Sequence, residues 1–396
     1  MNIHAVKYIE ILFVNLSYGM KRVTDQSRKQ LSTLHLLLLL PFLILTLNSA
    51  SGAENVPYQN DYAFGIDASF VKMRVDEGQE YHDDDKVKHP LTIFRDHGYN
   101  WGRVHLCNAP VQRLPQTLDY VIASGQAIKQ HGMKFHLDLM FSNGWANPTI
   151  QPTPRLWMNM SHNERVTKVY EFCRDTIASL REANATPDMV QVGNEIGNGF
   201  LWPDGRLYPL TDQISEWSNV TDYLKAGIKG IKEAAKDKQI KIMLHVDHGG
   251  DIPLTRLFFD TMKDHGVEYD VIGFSFYPWS HGTLLDLKDN LRFTAHRYGK
   301  EIILVETGYY FQPSRYFLET SPPFPETPAG QRQWLEAVNE IVMDTPNELG
   351  RGVFWWEPMM QGRGYFDRNR RAQPVLDAFH PYAYPLHRVD GQNRLQ

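Results

Sequence analysis

Eight short runs of apolar, mostly β-branched or aromatic residues recur along the chain, at 64–68, 102–106, 134–139, 189–193, 242–246, 271–276, 302–305 and 352–356. Each has the length of a strand. In the intervals the apolar period lengthens to that of a helix. Leu118, Val121, Ile122 and Ile128 fall on one face, as do Trp334, Ala337, Val338, Ile341 and Val342. Ser161 and Glu164 have the spacing of a capping box that opens a further helix. Several strand runs are apolar on both faces, as strands buried between helices must be. Eight strand–helix alternations predict a closed parallel (β/α)8 barrel in a single α/β domain. A doubly wound sheet would carry a glycine-rich phosphate turn after its first strand. Here that strand runs into Asp67-Ala68-Ser69-Phe70 instead.

The first 53 residues break this pattern. Lys21, Arg22, Arg28 and Lys29 precede a near-continuous apolar run at 36–47, which is interrupted by Pro41 and followed by Ser51-Gly52-Ala53. A basic region, a short apolar core and small residues define a secretory signal peptide, with cleavage expected after Ala53. Met20 is an alternative start, and an uncleaved anchor is the competing reading. The run is short for a bilayer span. The catalytic barrel is then expected to occupy residues 54–396 and to be secreted, extracellular or periplasmic, as a monomer without stable membrane insertion. The net charge is −5 and no basic block occurs, which argues against nucleic-acid binding. Of the two cysteines, Cys173 lies on the apolar stripe Val166, Val169, Tyr170, Ile177, Leu180 and is expected as a buried thiol.

Long segments follow the third, fourth and seventh runs, at 140–160, 196–213 and 307–327. In a barrel these lie on the face that carries the active site. They, and the stretch after the sixth run, are rich in aromatics: Trp145, Trp157, Trp202, Tyr277, Trp279, Tyr309 and Tyr310. Flat rings beside amides and carboxylates suit sugars, which have apolar faces and polar rims.

Two glutamates close strand runs, Glu195 on the fourth and Glu306 on the seventh. A pair of carboxylates across a barrel mouth can cleave a glycosidic bond. In a retaining mechanism they stand about 5 Å apart and one is the nucleophile. Polar residues also end other strands: Arg103 and His105, His245 and Asp247, Tyr277, Trp356 and Glu357. Arg103 would hold a carboxylate ionised, Tyr277 would hydrogen-bond it, and Trp356 would floor a sugar subsite. Asp67, Asp138 and Glu357 are rival carboxylates. His136, His245 and His248 come without a metal-binding spacing, so neither a metal nor a cofactor is expected.

These residues sit in segments that resemble glycoside hydrolase family 53, the arabinogalactan endo-β-1,4-galactanases. The resemblance spans roughly residues 62–380. It rests on G-I-D-A-S from Gly65, L-D-L-M-F-S-N-G-W-A-N-P from Leu137, V-Q-V-G-N-E-I from Val190, and M-L-H-V-D-H-G-G-D from Met243. I-G-F-S-F-Y-P-W from Ile272, V-E-T-G-Y from Val305 and G-V-F-W-W-E-P from Gly352 complete it. The resemblance implies a retaining enzyme with Glu195 as acid/base and Glu306 as nucleophile. It implies Asn194 on the sugar 2-hydroxyl and Arg103 supporting the nucleophile. With His105, His245, Tyr277 and Trp356 these form the expected substrate site, and the substrate would be a galactan or arabinogalactan. The chain departs from the family pattern at Met140, where a histidine is usual, at Asn143 and Asn147, where acids are usual, and at His105, where a tryptophan is usual. Another β-glycan as substrate, or a barrel that only binds glycans, are the competing readings.

Overall fold

The structure is a computed structural model; it describes residues 61–111, 114–207, 214–318 and 320–383. The expected signal peptide at 1–53 lies outside the described residues. The elements run, in chain order, β1 (Ala63–Asp67), α1 (Val71–Asp76), β2 (Tyr81–Asp83), β3 (Lys86–Lys88), α2 (Pro90–Asp96), β4 (Trp101–Cys107), α3 (Leu118–Gln130) and β5 (Lys134–Met140). Next come α4 (His162–Glu182), β6 (Met189–Val192), α5 (Ile214–Ala235), β7 (Lys241–Val246), α6 (Ile252–Asp264) and β8 (Val271–Phe276). Then follow α7 (Leu284–Tyr298), β9 (Glu301–Thr307), α8 (Pro328–Met343) and β10 (Gly350–Trp355). β1 and β4 to β10 close a parallel barrel, with β1 pairing to both β10 and β4. All eight predicted strands are present. The β2–β3 hairpin is an addition that three-residue strands leave no pattern to find.

Alternation along each strand explains the barrel. Val104, Leu106, Leu137, Leu139, Val190, Val192, Leu244, Ile272 and Leu304 point outward and are buried in the main core with helix residues such as Val169, Leu224 and Trp334. Each such side chain stabilises the fold by roughly 1.5–3 kcal/mol. The inward positions form a second cluster of Ala63, Trp101, Met189, Met243, Val271, Ile303, Val305 and Phe354. This apolar floor fills the end of the barrel where the strands begin. Above it the inward positions turn polar yet stay buried: Asp67, Arg103, His105, His136, Asp138, Gln191, His245, Ser275 and Glu306. The polar layer lies above this floor, toward the C-terminal ends of the strands where barrel active sites form.

The capping box at Ser161 and Glu164 opens α4, and a second, Thr283 with Asp286, opens α7. Cys107 and Cys173 are both free and buried.

Candidate active site

Strict alternation along β9 would waste Glu306. Ile303 and Val305 face inward, so the next residue should face the helices. The register shows why it does not. Phe274 pairs with Leu304 but Ser275 with Glu306; Val353 pairs with Leu304 but Trp355 with Thr307. Beyond Leu304, β9 therefore holds one more residue than either neighbour, a β-bulge that turns Glu306 into the barrel. Its Oε1 accepts a hydrogen bond from Arg103 Nη1 at 2.7 Å, and its Oε2 accepts one from the Tyr277 hydroxyl at 3.0 Å. Burial, and then the Glu306 charge, push the Tyr277 phenol well above its ordinary pKa, so it stays a donor.

Glu195 follows β6 by a sharp turn. Gly193 has φ 88°, and Glu195 itself is left-handed at φ 48°, ψ 53°. A glutamate in that region costs on the order of 1 kcal/mol or more and needs outside support. Gln151 Nε2 supplies some, donating to the Asn194 carbonyl at 2.7 Å and the Glu195 carbonyl at 3.3 Å. His245 supplies more. Burial lowers its pKa well below the usual value, so the ring is neutral. Its Nδ1 accepts from Gln191 Nε2 at 2.9 Å and from the Glu195 N–H at 3.3 Å. The proton must then sit on Nε2, which donates to Ser275 Oγ at 2.9 Å; Ser275 in turn donates to Glu195 Oε1 at 2.7 Å. This relay fixes the glutamate's backbone and one of its oxygens. Burial first, then the Glu306 and Asp247 charges, raise the Glu195 pKa well above that of an ordinary carboxyl.

The loop behind Glu195 passes close to the end of β7. A Cβ at Gly197 would lie 2.3 Å from His248 Nε2 and 2.7 Å from Asp247 Oδ1. Gly197→Ala should therefore shift the Glu195 loop while leaving the barrel intact. We expect kcat to fall roughly 10- to 100-fold, as misplaced catalytic groups do, with an unchanged far-UV circular dichroism spectrum. Wild-type kcat in this variant would show that the loop position does not matter.

Arg103 is the hub of the polar layer. Besides Glu306, its Nη2 donates to Asn194 Oδ1 at 2.8 Å, Gln191 Oε1 at 3.1 Å and Asp138 Oδ2 at 3.2 Å. Burial works against its charge, but Glu306, Asp138 and Asp67 raise its pKa above even the usual arginine value. His105 lies between two carboxylates. Its Nε2 donates to Asp67 Oδ2 at 2.5 Å and its Nδ1 to Asp138.

The sequence reading places Arg103, His105 and His245 among the substrate-lining residues. The structure puts all three behind the surface, fully or almost fully buried. Both ring nitrogens of each histidine are bonded to protein. Neither imidazole has a ring nitrogen left over: His105 is bonded to Asp67 and Asp138, and His245 to Gln191 and Ser275. Asn194 and Tyr277 do reach the site, while Trp356 is half-buried with the Arg363 guanidinium 4.0 Å from its ring centre. Of the loop aromatics, Trp157 and Tyr309 are core residues, whereas Trp279 stacks on Tyr277 at 5.2 Å and on Tyr316 at 5.0 Å, extending a ring surface outward from Glu306.

Asn143 and Asn147 serve their loop. Asn143 Nδ2 donates to the Asn108 and Ala109 carbonyls at 2.6 and 2.9 Å, and Asn147 Oδ1 accepts from the Thr149 N–H at 2.9 Å. Met140 is buried. Ser275, Gln191 and Gln151 escape a reading from sequence alone. Inward alternation Val271, Gly273, Ser275 was the available signal for the first. Among the described residues no group of three histidine, cysteine or acidic side chains is arranged to hold a metal.

Known proteins place the chain in a family. The model of glycosyl hydrolase family 53 matches residues 63–377. An uncharacterized protein of the bgaB 5′ region of Niallia circulans is 37% identical over 308 residues, 75% of this chain and 83% of that one. A probable arabinogalactan endo-β-1,4-galactanase A of Neosartorya fischeri is 29% identical over 81% of this chain and 89% of its own. Among solved structures, the family 53 catalytic domain of Ignisphaera aggregans superposes with a TM-score of 0.76 at 28% identity, covering 83% of this chain and 98% of that domain.

Proposed function

The chain belongs to glycosyl hydrolase family 53, and from that premise we propose that it is a secreted, retaining endo-β-1,4-galactanase acting on galactan or arabinogalactan. Glu306 is the nucleophile and Glu195 the general acid/base. The observation that carries this reading is the electrostatic difference between the two carboxyls. Glu306 is bonded to a guanidinium at 2.7 Å, whereas Glu195 is bonded to neutral groups and its pKa is raised. Environments that push paired carboxyls apart assign the acid and the nucleophile.

The sugar chain lies across the mouth, with Asn194 beside the reacting residue and the Tyr277–Trp279 rings beneath. Glu306 attacks the anomeric carbon while Glu195 protonates the departing oxygen, and a covalent glycosyl–enzyme forms. Esterification removes the negative charge of Glu306. That charge is one of the causes of the raised Glu195 pKa, so the pKa falls when a base is needed. Glu195 then takes a proton from water, which releases the sugar with its configuration retained. No helix among the described residues is long and apolar enough to cross a membrane; the leader at 1–53 would direct export, and the mature barrel would work as a monomer.

The test is digestion of β-1,4-galactan, arabinogalactan, mannan and β-glucans, with the first product anomer read by proton NMR. We expect cleavage of galactan with the β-anomer appearing first. An α-anomer first would overturn the double displacement. Cleavage of another glycan alone would reassign the substrate, and silence on all of them would favour a barrel that only binds glycans.

A further inference from the structure

We propose that His105 is a positioning residue of the reaction: an imidazolium clamped between Asp67 and Asp138 that leaves Arg103 free to hold Glu306. The proposal rests on the assignment of Glu306 as nucleophile.

Its first support is geometric. Asp67 Oδ2, 2.5 Å from His105 Nε2, is also 3.6 Å from Arg103 Nη1; Asp138 Oδ2, bonded to His105 Nδ1, is also 3.2 Å from Arg103 Nη2. The two cations share the same two oxygens. An ionised carboxylate only accepts, so a ring flanked by two of them must donate from both nitrogens and carry the charge. The second support is charge balance. Arg103 and His105 carry two positive charges against three negative ones on Asp67, Asp138 and Glu306, all buried. Counted with all three carboxylates ionised, the cluster has one net negative charge. Without the imidazolium proton it would have two. A buried cluster relieves such an excess by drawing Arg103 toward the aspartates or by protonating a carboxyl, and either disarms Glu306.

The remaining surroundings do not replace this proton. His136 on β5 and His245 on β7 are held neutral by burial. Ser69 Oγ is occupied by the His105 N–H at 3.0 Å, and Trp145 presents a ring edge at 5.2 Å. Glu357 beyond β10 is pushed toward its neutral form by burial and by Asp67. Burial alone would lower the His105 pKa, but Asp67, opposed by Arg103 and reinforced by Asp138, brings it up to about 9. A histidine raised in this way contributes stability that is fully present below about 6.5, its unfolded value, and is lost as pH rises through about 9.

The experiment isolates the step that needs only Glu306. A 2,4-dinitrophenyl 2-deoxy-2-fluoro-β-galactobioside has a leaving group that requires no acid, and it traps the nucleophile as a stable ester. Its labelling rate is followed between pH 5 and 10.5 by dinitrophenolate release, and the labelled residue is located by peptide mass. We expect labelling of Glu306, with a rate that falls above about pH 9 in the wild type. His105→Gln should label about 10- to 100-fold more slowly at pH 6, in the range of one lost polar positioning contact, and should lack that limb. Asp67→Asn/His105→Gln, which restores the net charge, should recover at least tenfold. Thermal melts across the same range verify folding; the difference in Tm between wild type and His105→Gln should shrink as pH rises past 9. If the single variant fails to fold, the double variant must still label and must show no limb near 9. Wild-type labelling in His105→Gln, a persisting limb, or a double variant no faster than the single would overturn the role of His105. Absence of label on Glu306 in the wild type would instead overturn the nucleophile assignment beneath it.

Discussion

Glu306→Ala should lose turnover of galactan by on the order of 10⁵-fold, about 7 kcal/mol of barrier at 1.36 kcal/mol per tenfold. No neighbour can take over. Asp67 and Asp138 are bonded to His105, while Glu195 lies in the turn after β6 and holds its proton. The fold should survive, because Arg103 keeps partners in Asn194, Gln191 and Asp138. The alanine leaves a gap the size of a small anion beside Arg103 and Tyr277. Azide placed there would displace an activated leaving group in one step and give an α-glycosyl azide from a β-glycoside. Steady-state rates on galactan and NMR of the azide product check both parts. Turnover above about one per cent of wild type, or a β-azide, would remove Glu306 from the nucleophilic role.

How much of this was legible beforehand depends on distance along the chain. The eight strands were, because alternation and apolar runs are local signals and the barrel adds only their closure. The capping box at Ser161 was, for the same reason. Glu306 was legible as the end of an apolar run, but its direction was not. Ile303 and Val305 face inward, and only the extra residue that the register of β8 and β10 imposes on β9 turns the next side chain in. The partners of His105 and His245 are hidden from the sequence for a related reason. Both look like polar strand ends available to a ligand. Their ring nitrogens are consumed by Asp67, Asp138, Gln191 and Ser275, which lie 38, 33, 54 and 30 residues away. Such contacts exist only once the barrel closes. Asn143 and Asn147 likewise show only their residue type in the sequence; in the fold their amides bond loop carbonyls and a turn N–H group.

Glu195→Ala should behave differently from the nucleophile variant, and the contrast separates the two roles. On galactan, whose leaving group is a poor one, turnover should fall by about 10²- to 10⁴-fold, the usual contribution of a positioned proton donor. On a dinitrophenyl glycoside the first step needs no acid and should proceed near its wild-type rate. Hydrolysis of the intermediate, which needs a base, should then limit turnover. The expected record is a burst of dinitrophenolate, a lowered KM, and rescue by azide to a β-azide, since azide attacks the covalent ester without a base. The pH profile carries the sign of the pKa shift. Burial and the Glu306 charge keep Glu195 protonated to a higher pH than an ordinary carboxyl. In the wild type kcat/KM on galactan should therefore persist through the usual carboxyl range and fall as pH rises through the folded pKa. In Glu195→Ala that limb should vanish. Asp247 is the natural rival, since burial raises its pKa too. It has no bond to the Ser275–His245 relay, however, and Asp247→Asn should keep the burst-free kinetics and the alkaline limb. A variant pair with these outcomes exchanged would make Asp247 the acid and reduce Glu195 to a neighbour that tunes it.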